Sequence, residues 1–194
     1  MSRLILIRHG ETDMTGRFCG HSDPELNHAG EQQALRSSEE VALLGIERIY
    51  SSDLRRASQT AALVAQRIKA SGEVQAIRNL REFNFGLWEG LTWQEVEARF
   101  PQDAELWVKN FPLHCAPKGE AYAEFSRRID AAMEPLLREA EKRTIAIVSH
   151  RGVMSYMLTR FFSFSADDAW AKTAPYAAVI VVNDCRNCLR EATR

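Results

Sequence analysis

Two histidines in this 194-residue chain follow apolar runs and stand close before a glycine: Arg8-His9-Gly10 after "LILI", and His150-Arg151-Gly152 after "TIAIVS". A third apolar run, "IERIY", leads through "SSD" to a pair of arginines, Arg55 and Arg56. A neutral imidazole is a nitrogen nucleophile or a proton carrier, and a guanidinium presents a planar fork that matches phosphate oxygens. Brought together, two imidazoles and several guanidinium groups suit phosphoryl transfer: the arginines hold the anion and the histidine attacks in line. Adjacent guanidinium groups would also keep His9 neutral, because a neighbouring cation disfavours imidazolium. No HExxH-type spacing accompanies these residues, and His21, His28 and His114 show no ligand pattern, so neither a metal nor another cofactor is expected.

Such residues work together only if the chain delivers them to one place. The apolar runs "LILI", "IERIY", "EVQAI", "TIAIV" and "AAVIVV" read as strands. Between them lie helical patterns: Glu31 to about Leu44, then a face marked by Leu54, Ala57, Ala61, Val64, Ala65 and Ile68, then Gly119 to Ala140, then "SHRGVMSYMLTRFF". Ser52 or Asp53 is a suitable N-cap for the second helix, and Pro135 is expected to kink or divide the third. Near-continuous apolar strands separated by helices predict an α/β fold, a three-layer sandwich with a mostly parallel central sheet covered on both faces by helices. In such sheets ligands gather beyond the carboxyl ends of the strands, where His9, the Arg55-Arg56 pair and His150 would meet. Residues 81–117 are irregular and aromatic-rich and carry three of the four tryptophans, which reads as a lid within one domain.

Composition narrows the partners. The length allows one sizeable core over 1–194, and a formal net charge of -1 gives no reason to expect nucleic acid or an anionic membrane surface. No stretch approaches a membrane span and no cleavage-site pattern follows the first strand, so a cytoplasmic protein is expected. Cys19, Cys115, Cys185 and Cys188 are too sparse for a disulfide framework, and "CRNC" lacks a second pair, so reduced thiols are expected. The oligomeric state is left open, a dimer included.

In their order and separations, "RHGET", "SSDLRRASQTA", "LREFNFGLWEG" and "VSHRG" resemble the histidine phosphatase superfamily, also called phosphoglycerate mutase-like. The resemblance covers nearly the whole chain. It implies that His9 becomes phosphorylated, that Arg8 grips the phosphate, that Arg56 rather than Arg55 is the second phosphate-binding arginine, and that His150 supports the developing charge. Glu82 would be the proton donor to the leaving group and then the base for water; without the resemblance it reads as a surface ion pair with Arg81. Glu11 is assigned only a structural role.

Three positions depart from the family pattern: Thr15 stands where many relatives have Asn, Arg151 where Gly is usual, and Ala121 where Ser is frequent. Thr15 and the Arg151 amide remain candidates for phosphate contact, with Gly20 and His21 at the rim. The chain is compact, which favours hydrolysis over the mutase reaction, and its segments look most like α-ribazole phosphatases, which remove the 5′-phosphate during cobalamin nucleotide-loop assembly. The resemblance also admits a broad-specificity phosphatase or a phosphoglycerate mutase; a non-catalytic phospholigand binder is disfavoured by the presence of all the motif residues. Phe83, Phe85, Trp88, Trp93 and Trp107 would either stack on an aromatic base or pack the lid onto the sheet.

Overall fold

The computed structural model describes residues 2–68 and 73–183, so Cys185 and Cys188 lie outside the described residues. Five strands, β1 (Arg3–Arg8), β2 (Arg48–Ser51), β3 (Gln75–Ala76), β4 (Ile145–Ser149) and β5 (Val179–Asn183), form one sheet in the order β3-β2-β4-β1-β5. The first four run parallel; β5 lies antiparallel on β1. The α-helices among the described residues are α1 (His28–Val41), α2 (Arg55–Ile68), α3 (Trp93–Arg99), α4 (Pro101–Asn110), α5 (Tyr122–Ala140), α6 (Arg151–Phe161) and α7 (Ala166–Lys172), with short 3₁₀ turns at Arg78–Leu80 and Gly86–Trp88.

Period-two alternation along the central strands builds the sandwich. Leu4 and Leu6 of β1 and Ile145 and Ile147 of β4 pack with Ile129, Met133 and Leu137 of α5 and Met154 and Leu158 of α6. Ile5, Ile7, Ala146 and Val148 face the other way, onto Val41 of α1 and Ala57, Ala61 and Val64 of α2. Leu4 to Ile7 are all 0 % exposed, each contributing about 1.5–3 kcal/mol by burial. Thus β1 and β4 form the centre of the three-layer α/β fold, and His9 and His150 follow directly from them.

Several expectations need correction. The strand expected over "EVQAI" is confined to Gln75–Ala76. The segment read as irregular contains α3 and α4. Thr92 caps α3 by accepting from the Glu95 amide at 3.2 Å while Glu95 returns a bond to the Thr92 amide, and Pro101 occupies the first turn of α4, where its missing N–H costs nothing. These helices surround a small core of their own, with Trp88, Val96, Ala104 and Ala116 buried against Phe18, Phe85, Trp93 and Trp107. Pro135 does not divide α5. Ala131 and Pro135 are both exposed, so the carbonyl that Pro135 cannot bond is on the water side, while the buried face from Phe125 to Ala140 holds the helix down. Asp53 does not cap α2, because its carboxylate pairs with Arg81; Ser52 reaches the Leu54 amide at 3.3 Å, and the Arg55 amide is capped from a distant loop by Asp23 at 2.6 Å.

Candidate active site

The pairing of β1 with β4, Arg8 opposite Ser149, sets His9 beside His150. The His9 amide donates to the Ser149 carbonyl at 2.9 Å, and the two imidazole centroids are 5.1 Å apart. Gly10 is required by the turn that follows: a Cβ there would lie 2.4 Å from the Gly30 carbonyl oxygen. The Gly10 amide donates to the Thr60 hydroxyl at 3.1 Å, which fixes the turn to α2.

His9 is 8 % exposed and His150 fully buried. His9 Nδ1 is 2.7 Å from the Gly10 carbonyl. A carbonyl only accepts, so Nδ1 carries the proton and Nε2 keeps its lone pair. Burial first, then Arg56 and Arg8, hold His9 well below the ordinary histidine pKa. Burial first, then Arg56 and His9, do the same for His150. Both rings are therefore neutral near pH 7, and neither nitrogen of His150 has a hydrogen-bond partner.

Arg8 donates through Nη1 to the Thr173 carbonyl at 3.3 Å and to the Ala174 carbonyl, and its guanidinium lies 4.0 Å over the Tyr176 ring. Arg56, 0 % exposed, donates to the Ser22 carbonyl at 2.7 Å, Gly20 at 2.8 Å and Cys19 at 3.2 Å. The Nε atoms of Arg8 and Arg56 are buried without a hydrogen-bond partner, leaving each arginine a donor for an anion. The loop that Arg56 grips by its carbonyls is held by its amides through Glu89. Gly20, His21 and Ser22 donate backbone N–H groups to that carboxylate at 3.1, 2.8 and 3.0 Å, and the Ser22 hydroxyl and Phe85 amide join at 2.6 and 3.1 Å. Burial alone would raise the Glu89 pKa, but these hydrogen bonds outweigh it and hold the carboxyl below its ordinary value.

Glu82 faces the same cluster. Its carboxylate accepts from the Gly152 amide at 2.9 Å and the Phe83 amide at 2.9 Å, which ties it to the first turn of α6 beside His150. The alternative reading of Glu82, a surface ion pair with Arg81, is not what the structure shows, since Arg81 forks onto Asp53 with two bonds of 2.7 Å. Arg128, paired with Glu120, donates to the Glu82 carbonyl at 2.9 Å and fixes the backbone. Glu11 braces the start of α1, accepting from Asn27 at 3.1 Å and Gln33 at 3.4 Å.

The structure thus assembles Arg8, His9, Arg56, Glu82 and His150 at one end of the sheet. At the edge, the Thr15 hydroxyl meets the Thr12 carbonyl at 3.0 Å and the Tyr176 hydroxyl at 3.2 Å. Gly20 is locked by a close approach: a Cβ there would come 1.9 Å from the Phe83 carbonyl oxygen. His21 follows it, its pKa lowered by burial and by Arg128, with Nε2 buried and without a hydrogen-bond partner. Arg151 turns onto α7, its guanidinium 3.7 Å over Trp170. The five aromatic residues pack the segment rather than presenting a free wall: Trp88 is 0 % exposed, and Phe83, Phe85, Trp93 and Trp107 meet it or one another. Cys19 and Cys115 are free thiols. Sequence reasoning missed Tyr176, Arg128 and Glu89; Glu89 lies inside the motif "LREFNFGLWEG", yet nothing in its spacing shows that it collects loop amides.

The family model of the histidine phosphatase superfamily (branch 1) matches residues 4–189. The chain belongs to the histidine phosphatase superfamily. This histidine phosphatase is 30% identical over 181 residues to phosphoserine phosphatase 1 of Hydrogenobacter thermophilus, covering 87% of this chain and 84% of that protein. It is 29% identical over 170 residues to the adenosylcobalamin/α-ribazole phosphatase of Escherichia coli K12, covering 87% and 83%. Among solved structures, the α-ribazole phosphatase of Shigella flexneri superposes with a TM-score of 0.83 at 27% identity, over 93% of this chain and 90% of that one. The superfamily is a metal-independent group of phosphatases and mutases acting on small phosphorylated substrates. Among the described residues no helix is long and apolar enough to cross a membrane.

Proposed function

We propose that this histidine phosphatase is a phosphomonoester hydrolase that works through a phosphohistidine on His9. The observation that carries the reading is the His9 tautomer: Nδ1 is tied to the Gly10 carbonyl, which leaves the Nε2 lone pair as nucleophile beside two arginines and the unpartnered ring of His150. His9 Nε2 attacks phosphorus, the ester P–O bond breaks, and Glu82 gives its proton to the leaving oxygen. Arg8, Arg56 and His150 stabilise the charge on the equatorial oxygens. Water then attacks phosphorus, Glu82 takes the water's proton, the N–P bond breaks and inorganic phosphate departs. A single domain over 1–194 carries this chemistry, with the segment 81–118 as lid over the site.

Small phosphomonoesters are the substrate class. Motif likeness supports α-ribazole 5′-phosphate, and with it a place in cobalamin assembly in the cytoplasm. The packing of the five aromatic residues removes the stacking argument for that substrate, so the likeness stands alone. The test is release of phosphate from 4-nitrophenyl phosphate and α-ribazole 5′-phosphate, with rapid-quench trapping of acid-labile phosphoprotein. His9→Ala is expected to abolish both signals; hydrolysis that survives it refutes the mechanism. Excess EDTA is expected to leave the rate unchanged, and loss restored by a divalent ion would overturn the assignment of every step to side chains.

A further inference from the structure

Arg8 is held differently from Arg56. Arg56 is fully buried, and three loop carbonyls take its Nη groups. Arg8 is half-buried, and its hydrogen bonds, to the Thr173 and Ala174 carbonyls, both leave from Nη1. Among the described residues no carboxylate pairs with it, Glu82 acting on it through the field alone. A long side chain tied at one end can still swing about that end. What stops it is the Tyr176 ring, which covers the flat face of the guanidinium at 4.0 Å.

The phenol is itself fixed from both sides. Its hydroxyl lies 3.2 Å from the Thr15 hydroxyl. Thr15 spends its one proton on the Thr12 carbonyl at 3.0 Å, so Tyr176 donates and Thr15 accepts. On the backbone side the turn runs through Ala177, whose φ of 55° is a left-handed conformation that a residue with a Cβ keeps only where its surroundings enforce it. Here they do: the Ala177 amide donates to the His9 carbonyl at 3.1 Å, the Arg8 amide donates to the Ala178 carbonyl at 3.0 Å, and the Ser37 hydroxyl donates to the Ala177 carbonyl. The turn that presents Tyr176 is thus bonded to the backbone of both Arg8 and His9. The phenol ring stands 5.8 Å from the His9 ring, centroid to centroid.

We propose that Tyr176 is a positioning residue for Arg8: its ring clamps the guanidinium so that Nε, buried and without a partner, stays directed at the phosphoryl group that His9 attacks. This rests on the phosphohydrolase reading and adds to it a residue that acts through Arg8 rather than on the reacting atoms. A guanidinium held over a ring keeps its charge and its in-plane donors, because the ring takes up only the face. Thr15 then serves as the strut of the phenol rather than as a phosphate contact.

The test is a double-mutant cycle on Tyr176→Leu and Arg8→Lys, read by kcat/KM for 4-nitrophenyl phosphate and by calorimetric binding of inorganic phosphate. Tyr176→Leu is expected to lower kcat/KM about tenfold and phosphate affinity about threefold or more. In the Arg8→Lys background the same change is expected to move either quantity by less than about twofold, since an ammonium offers no planar fork to clamp. Tyr176→Phe, which keeps the ring, and Thr15→Val, which removes the strut, are expected to stay within about threefold of the intact protein. A Tyr176→Leu fall as large in the Arg8→Lys background as in the intact protein overturns the proposal, because a loss of fold, or a direct contact of Tyr176 with substrate, acts whichever side chain precedes His9. So does a Tyr176→Leu variant within about twofold of the intact protein, or a Tyr176→Phe loss as great as that of Tyr176→Leu, which would put the effect in the hydroxyl. If the intact protein hydrolyses no ester, including 4-nitrophenyl phosphate, the phosphohydrolase reading fails and the proposal with it; hydrolysis indifferent to Tyr176→Leu defeats the proposal alone.

Discussion

Replacing Glu89 by Gln tests whether the loop beneath Arg56 is held as a unit. The carboxylate collects five donors, two on Oε1 from His21 and Phe85, and three on Oε2 from the Gly20 amide and both donors of Ser22. An amide has one oxygen, and its NH2 group can only donate. Whichever way the new side chain turns, at least two of those donors lose their acceptor. At about 1.5 kcal/mol or more for each hydrogen bond to a charged group, the variant is expected to lose about 3 kcal/mol, a large share of a typical total of about 5–15 kcal/mol. The same loop presents the Cys19, Gly20 and Ser22 carbonyls to Arg56, so kcat/KM for an aryl phosphate is expected to fall about tenfold as that guanidinium loses its fixed position. Urea unfolding gives the first quantity and steady-state phosphate release the second. A variant within about 0.5 kcal/mol and twofold of the parent would refute the idea that Glu89 organises the loop.

Three further outcomes are expected. Folded-state pKa values of His9 and His150 lie below the ordinary value, chiefly through burial. The unfolded chain therefore binds more protons below about pH 6.5; stability is full above that pH and declines as the pH falls, and a urea midpoint unchanged between about pH 7 and 5 would contradict the neutral pair. Glu82→Gln is expected to slow alkyl phosphates far more than aryl phosphates, whose leaving oxygen needs little protonation; equal losses would remove Glu82 from the acid role. Ala121 stands at the N-cap of α5 without a side-chain acceptor, so Ala121→Ser is expected to raise stability by about 1 kcal/mol, read as a higher urea midpoint, and a lower midpoint would show that the hydroxyl cannot reach the first turn.

The central sheet, Arg8, His9 and His150 were legible because apolar strands and motif residues are contiguous in sequence: "LILI" ends at Arg8-His9, and "TIAIVS" at His150; the choice of Arg56 over Arg55 and the role of Glu82 came only through the family resemblance. Helices α3 and α4 were less visible, although the Thr92 capping box and Pro101 are local signals, because aromatic residues with no clear period obscured them. That Pro135 leaves α5 undivided was not legible, because the cost of a proline inside a helix depends on whether the freed carbonyl meets water, which is a property of the folded surface. Tyr176 and Glu89 were illegible for another reason. Their contacts, with Arg8 and with the loop from Gly20 to Ser22, cross long stretches of chain, and tertiary proximity of that kind leaves no spacing to read.

The two imidazoles face one another because β1 and β4 pair in a single register, Arg8 against Ser149. Nothing local enforces that register: the strands are parallel, no tight turn joins them, and most of the chain lies between them. A slip of one residue would turn one ring to the opposite side of the sheet. Catalytic competence therefore depends on that one non-local pairing being formed. Collapsed forms with every helix in place but the central strands unpaired would be wholly inactive, and the appearance of activity during refolding would keep time with closure of the sheet.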